Sequence, residues 1–368
     1  MGELVEGNGG RGHFPGPGRR RSLPRGLSRQ KQLFLDFRDI WRRNRHGGIE
    51  MIAFLLAFML VAQENVQGEG ISTPDSLKKQ IEKLFEDASL WQVGENREKV
   101  SKAREELVKI GEPVLDYIFE EKINTDRTLE LRAIKHVVKK LRDDARKYIL
   151  ENLTSENDTV RRNCIWLLGE IKDTSSVDTL LRLLQSEKNY KFIARIITAL
   201  GKIGDTTATV HIMPFMEHEK EVVRISCAEA LGKIADPRAT GSLIEGLGDP
   251  LFTVRYTSTW ALSKIGREAI DSLISRAESV KDTVSLVQAV ITLRDIVRKD
   301  TLDFEDSLKV RLFLRKFLDS PSWVLRGYAR EAFGLAGSEG ARYILLQAYE
   351  FEENPFVRRR IEDALNLK

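Results

Sequence analysis

One short string returns along this 368-residue chain at a nearly fixed interval, and the interval limits the fold more than any other feature. It reads ITALGKIGD at 197–205, AEALGKIAD at 228–236 and TWALSKIGR at 259–267. With Gly201 as register zero, the small/apolar–Leu–Gly–x–Ile pattern places Gly169, Gly232, Ser263 and Gly334 at the same slot. Looser copies fall at Val108, Val138, Arg294 and Asn366, and the spacings are 30, 31, 32, 31, 31, 31, 40 and 32 residues. A period of ~30 residues means stacked supersecondary units in place of independent globular domains. The spacing of 40 points to an insertion around 298–306.

Each unit reads as two helices. In DPRATGSLIEGLGDPLFTVRYTSTWALSKIG (236–266), Asp236 can cap a first helix with Pro237 at its first position. Leu243, Ile244 and Leu247 form its apolar stripe, and Asp249-Pro250 repeats the start signal for a second helix ending near Ile265. Gly111, Gly204, Gly266 and Gly337 share the slot just past the second helix, where a left-handed cap is favoured. Eight residues before register zero stands an Arg preceded by Val or Leu: Arg161, Arg224, Arg255, Arg326 and Arg358.

The order D(P)…VR…ALGKIGD, with the two-helix unit and the short period, resembles HEAT repeats, most closely the short bacterial kind also found in phycobilin lyases. The resemblance covers roughly residues 75–368. It implies an all-α, right-handed, armadillo-like α-solenoid of about nine two-helix repeats with a period near 31 residues. It also implies a ladder in which a turn Asp bonds an Arg six residues on, a spacing that Asp249 and Arg255 carry.

Helical geometry then assigns roles. Positions −9, −5, −1 and +2 share one face and read Val223, Cys227, Leu231, Ile234 or Val160, Cys164, Leu168, Ile171. Both cysteines therefore occupy one core slot two units apart, ~20 Å at ~10 Å per stacked helix. A disulfide needs Cα atoms within ~7 Å, so these thiols are expected buried and unpaired. Position −2 is mostly Ala, and Gly169, Gly201, Gly232 and Gly334 at zero read as close-approach residues between neighbouring units.

Positions −7, −3 and +1 point away from the core, onto what is the concave face of a HEAT solenoid. Arg162, Trp166, Lys202, Lys233, Tyr256, Trp260 and Lys264 fall there, aromatics and cations that suit a protein or peptide partner. In the alternative, the tryptophans lean over and cover neighbouring helices.

Charge is unevenly spread. Residues 1–50 hold eleven Lys/Arg against five acids, which leaves 48 basic and 50 acidic residues in the rest. A near-neutral body lacks the basic footprint of a nucleic-acid binder, so no nucleic acid is expected. MIAFLLAFMLVA (51–62) is too short to span a bilayer and fits a signal-peptide core. The predicted divisions are a basic tail or mis-assigned start at 1–50, the signal core at 51–62, a linker at 63–74 and the solenoid at 75–368. Export to the periplasm or the outside follows, with no stable membrane span after cleavage; if 51–62 is not a signal, the chain is cytoplasmic.

Catalytic signatures are missing from the string. Glu217-His218-Glu219 lacks the HExxH spacing of a metal site, and the HEAT-like deoxyhypusine hydroxylases carry several His-Glu pairs where this chain has His218-Glu219 alone. No GxSxG, Walker loop or Rossmann fingerprint appears. The expectation is an exported, non-enzymatic scaffold without metal or cofactor, binding a protein or peptide on its concave face. The alternatives are a lyase-like or other ligand-handling HEAT-repeat enzyme and, behind it, a HEAT-like DNA glycosylase.

Overall fold

The computed structural model describes residues 74–280 and 282–367. The period becomes a succession of helix pairs in which odd-numbered helices come first and even-numbered helices carry register zero, except that in the last repeat Asn366 caps the helix. The first pairs are α1 (Pro74–Ala88) with α2 (Asn96–Ile110), α3 (Glu112–Tyr117) with α4 (Thr128–Lys140), and α5 (Arg142–Glu151) with α6 (Asp158–Ile171). Then follow α7 (Val177–Ser186) with α8 (Tyr190–Ile203), α9 (Thr209–Ile212) with α10 (Glu221–Ile234), and α11 (Thr240–Glu245) with α12 (Phe252–Ile265). The last are α13 (Ile270–Ser279) with α14 (Thr283–Lys299), α15 (Phe304–Arg315) with α16 (Trp323–Leu335), and α17 (Glu339–Phe351) with α18 (Pro355–Leu365). No strand occurs among the described residues, and no helix among them is long and apolar enough to cross a membrane. The tail, signal core and linker expected before residue 74 lie outside the described residues.

The core runs along the stack because each second helix packs on the second helices before and after it. The glycines set how closely. A Cβ on Gly201 would fall 2.5 Å from the Ala230 Cα, one on Gly169 3.0 Å from the Ala199 Cα, and one on Gly232 2.8 Å from the Ala261 Cα. Gly at zero in one repeat thus lies against Ala at −2 in the next. Gly334 differs: its Cβ would meet the Leu345 Cδ1 at 2.5 Å and the Ala364 Cβ at 2.9 Å, which are side-chain atoms. The slot three residues past zero holds Gly204 and Gly337 at φ +81° and +62°, and also Lys172 and Ala235 at +52° and +56°.

Cys164 and Cys227 are buried, free and within this core. Burial pushes the Cys164 thiol up to about 12, and also raises that of Cys227, whose Sγ donates to the Ile212 carbonyl at 3.1 Å. Of the nine extra residues in the longer spacing, three extend α14 past register zero, two lengthen α15 over α13, and four lie in the segment between α15 and α16.

The ladder departs from the expectation. The Asp249 carboxylate does not take Arg255. It accepts two bonds from Arg224 of the preceding repeat, Nε at 2.7 Å and Nη2 at 3.1 Å, while Arg255 donates to the Asp249 and Pro250 carbonyls. The same wiring recurs where the sequence shows no Asp: Arg326 reaches Glu352 of the next repeat at 2.9 and 3.0 Å, and Arg358 donates to the Glu352 carbonyl. Asp249 and Glu352 both stand at position −14, so the arginine's one-repeat reach selects the position and either carboxylate serves. Arg161 joins no such rung. Glu187 at −14 spends its carboxylate on the Lys188 and Asn189 amides, and Arg161 instead pairs with Asp158 and lies 3.9 Å over the Phe192 ring.

Candidate functional site

Four-residue steps along a helix repeat the same face within about 40°, so positions −11, −7, −3 and +1 form one stripe. On α6, α8 and α10 this stripe lines a cavity of about 540 Å3, within the ~300–1,000 Å3 of small-molecule sites. Trp166 of α6 and Tyr190 of α8 supply aromatic walls, Lys191, Arg195 and Lys202 the cations, and Val222 with Ser226 the far side on α10, where Glu221 is the one carboxylate of the lining. Trp166 is half-buried with the Lys135 ammonium 6.0 Å from its ring centroid, and Tyr190 has Lys191 and Lys220 each at 6.0 Å.

The cations of the cavity are not equivalent. Lys202 is paired with Glu170, which Lys135 also approaches at 3.4 Å. Burial alone would raise the Glu170 carboxyl, but the hydrogen bond from Lys202 and the charges of Lys202 and Lys135 hold it below the usual range. Arg195 has no ion-pair or hydrogen-bond partner among the described residues. Its proton affinity is lowered by loss of solvent and then by the nearby charge of Arg162. Arg162 is itself without a carboxylate; its Nε donates to Asn163 Oδ1 at 3.4 Å.

The other residues expected on this face are dispersed. Trp260 is half-buried, leans to within 2.4 Å of where a Gly232 Cβ would sit, and has Lys264 at 5.8 Å from its ring. Lys233 pairs with Glu229 at 2.6 Å. Tyr256 is 62% exposed and stacks on Phe252 at 6.2 Å, outside the cavity. The structure therefore brings Trp166 and Lys202 together, sets Arg162 beside them, and leaves Lys233, Tyr256, Trp260 and Lys264 further along.

Sequence reasoning missed Tyr190 and Arg195. Tyr190 is the −11 member of the expected stripe, one turn beyond where the stripe was followed. Arg195, at −6, borders the stripe on the side toward the preceding repeat. Elsewhere, His218 Nδ1 accepts from the Lys220 amide at 3.0 Å, as a turn residue does, and the described residues hold no group of three or more His, Cys, Asp or Glu placed to share a metal.

The architecture defines the class: an α-solenoid of two-helix repeats with a ligand-sized cavity on the second helices. Residues 146–219 and 209–294, about two fifths of the chain, match the HEAT repeats family. The bilin biosynthesis protein PecE of Mastigocladus laminosus is 26% identical over 155 residues, 41% of this chain and 56% of that protein. The match thus spans little more than half of the relative's length. Among solved structures, an engineered protein matches with 18% identity and a TM-score of 0.40, over 80% of this chain and 91% of its own. The complex of CpcE and CpcF of phycocyanin lyase from Nostoc sp. matches with 20% identity and a TM-score of 0.34, over 60% and 93%. The likeness to PecE corrects one expectation: a chain without enzymatic activity does not agree with its similarity to a bilin biosynthesis protein.

Proposed function

We propose that this chain is an enzyme of the lyase-like, bilin-handling kind, holding an open-chain tetrapyrrole in the cavity between α6, α8 and α10. The observation that carries the reading is Arg195: a guanidinium without a carboxylate, beside two aromatic side chains in a cavity of about 540 Å3. A bilin is long, conjugated and apolar along its rings, with two carboxylate side arms. Trp166 and Tyr190 offer it flat apolar area, and Arg195 a charge-assisted, two-pronged contact for a carboxylate. The similarity to PecE supports this ligand over other planar acids.

The bilin is substrate here, not a covalent passenger. A thiol must ionise to attack, and burial pushes the Cys164 thiol up to about 12 and raises that of Cys227 as well. Both sulfurs also lie in the core, away from the cavity. The chain's own work is then to bind and orient, with the bond-forming thiol supplied by another protein.

The test is a titration with biliverdin followed by visible circular dichroism and tryptophan fluorescence. Binding in an asymmetric cavity against Trp166 gives a saturable visible signal and quenching, and Trp166→Ala weakens both. An unstructured spectrum with no saturable quenching would end the bilin reading.

A further inference from the structure

Four successive second helices, α2, α4, α6 and α8, each present at position −4, −6 or −7 an arginine that has no carboxylate partner among the described residues: Arg104, Arg132, Arg162 and Arg195. They are arranged as two pairs. Arg104 stands at position −4, on the flank that faces the following repeat, and Arg132 at −6, on the flank that faces the preceding one. Arg162 at −7 and Arg195 at −6 repeat this across the junction of α6 and α8. Each pair brings like charges together. Arg104 is lowered first by loss of solvent and then by Arg132, Arg195 first by loss of solvent and then by Arg162, and His136 on α4 by burial, Arg104 and Lys140.

Three of the side chains are held in place. The Arg104 Nε donates to the Ala88 carbonyl at 3.1 Å and its Nη1 to Gln92 Oε1 at 3.2 Å. Arg132 lies over the exposed Trp91 ring at 5.7 Å. Arg162 leans on Asn163, whose Nδ2 is fixed by the Ile123 and Thr125 carbonyls at 2.7 and 2.8 Å. Ordering two like charges at one junction is unfavourable in the free protein and becomes favourable only when an anion fills the pair.

We propose that the concave face of the first four repeats binds an extended acidic polypeptide segment, whose carboxylates fill the pairs Arg104–Arg132 and Arg162–Arg195. The pairs lie two repeats apart, ~20 Å at ~10 Å per stacked helix. An extended chain covers that span in about six residues at ~3.3 Å each, so the fitting partner carries acidic doublets about six residues apart. Carboxylates of the chain on the same surface, Glu105 at −3 of α2 and Glu170 at +1 of α6, would lie against the evenly charged backbone of a nucleic acid. A polypeptide can place neutral residues opposite them.

The experiment uses the full chain and a fluorescein-labelled peptide with two Glu-Glu doublets about six residues apart, read by anisotropy at low ionic strength. Comparison peptides carry the doublets adjacent or carry Gln throughout, and a single-stranded oligonucleotide is the remaining ligand. The spaced peptide should bind best, and R104Q/R132Q and R162Q/R195Q should each weaken it about tenfold or more below their own melting transitions, with the thermal midpoint of R162Q/R195Q unchanged. The basic tail is common to wild type and variants, so the difference between them reads the pairs alone. If one double variant fails to fold, the other decides. Equal affinity of wild type and folded variants, no preference for the spaced doublets, or tighter binding of the oligonucleotide overturns the proposal. The inference shares Arg195 with the bilin reading but is tested separately: a chain that binds this peptide and no biliverdin retains it.

Discussion

Arg195 and Arg360 stand at the same register, six residues before zero, in the fourth and the ninth repeat, and they do opposite things. Arg360 is built into a polar core: its Nη1 lies 3.3 Å from Glu331, and its guanidinium sits 4.9 Å over Tyr328 and 5.0 Å over Phe356. Glu331 is fully buried and also takes Arg294, at 3.6 Å, and Arg298. A second cluster, Arg326 and Arg330 around Glu352, closes the same end. Toward the start of the solenoid Arg104, Arg132, Arg162 and Arg195 are presented and form no ion pair among the described residues. In the eighth repeat Glu331 fills the −3 slot that Trp166 and Thr198 occupy in the cavity, and it lies within reach of Arg360. The same scaffold thus spends an arginine on cohesion at one end and keeps it for a ligand at the other.

Substitutions can break that contrast. The largest effect is expected from Glu331→Ala, which leaves three arginines around an emptied buried site. Removing one partner of a buried ion pair costs about 3–5 kcal/mol, read as a drop in urea midpoint. Gln at the same position should recover part of it through its carbonyl oxygen. A loss under ~1 kcal/mol, the value of a surface pair, would remove the polar core from the account.

Next comes the packing of register zero. Gly201→Ala must move the Ala230 backbone, whereas Gly334→Ala meets only the tip of Leu345 and a methyl group. Overpacking costs about 1–3 kcal/mol, so the Gly201 variant should lose stability and the Gly334 variant distinctly less. Equal losses would mean that the two junctions are equally rigid.

A pH effect separates the convex turns from the concave face. Asp236 is held down to about 2, chiefly by its hydrogen bond from Arg238, against the loss of solvent that works the other way. A carboxyl lowered by folding contributes stability that is complete above its unfolded value near ~4 and is lost as pH falls toward the folded one. Thermal midpoints taken from pH 7 down to 2.5 should therefore fall more steeply below pH 4 for the wild type than for Asp236→Asn. Parallel curves would remove Asp236 from the acid sensitivity of the fold.

The smallest effect is a gain. Ala235 occupies at φ +56° the slot that glycine takes at 204 and 337. Relief of that left-handed strain in Ala235→Gly should outweigh the added chain entropy and give about 0.5–1 kcal/mol of stability, seen as a slightly higher melting temperature.

The repeat fold was legible because its cause is periodic. Core, cap and close-approach residues return at fixed offsets from Gly201, and a helix turns those offsets into faces without knowledge of the neighbours. The site was legible only in part. Trp166 and Lys202 could be placed on the concave stripe, and Tyr190 was within reach one turn earlier. What makes Arg195 a binding residue is that no carboxylate pairs with it among the described residues, a property of three dimensions. Glu331 shows the converse: its offset reads as surface, yet three arginines from two other helices bury it. The ladder erred for the same reason, since Asp249 and its arginine are neighbours in space from different repeats.

The central claim is that unpaired arginines of this register serve a ligand while paired ones serve the fold. The direct test is to make Arg195→Gln and Arg360→Gln in the full chain and to measure thermal midpoint and biliverdin affinity on both. Arg195→Gln should keep the wild-type midpoint and lose about tenfold or more in affinity, the ~1.4 kcal/mol of one charge-assisted contact. Arg360→Gln should melt several degrees lower and, below its transition, bind as the wild type does. If Arg195→Gln melts early, or binds biliverdin unchanged while Arg360→Gln does not, the division of labour between the two ends is wrong.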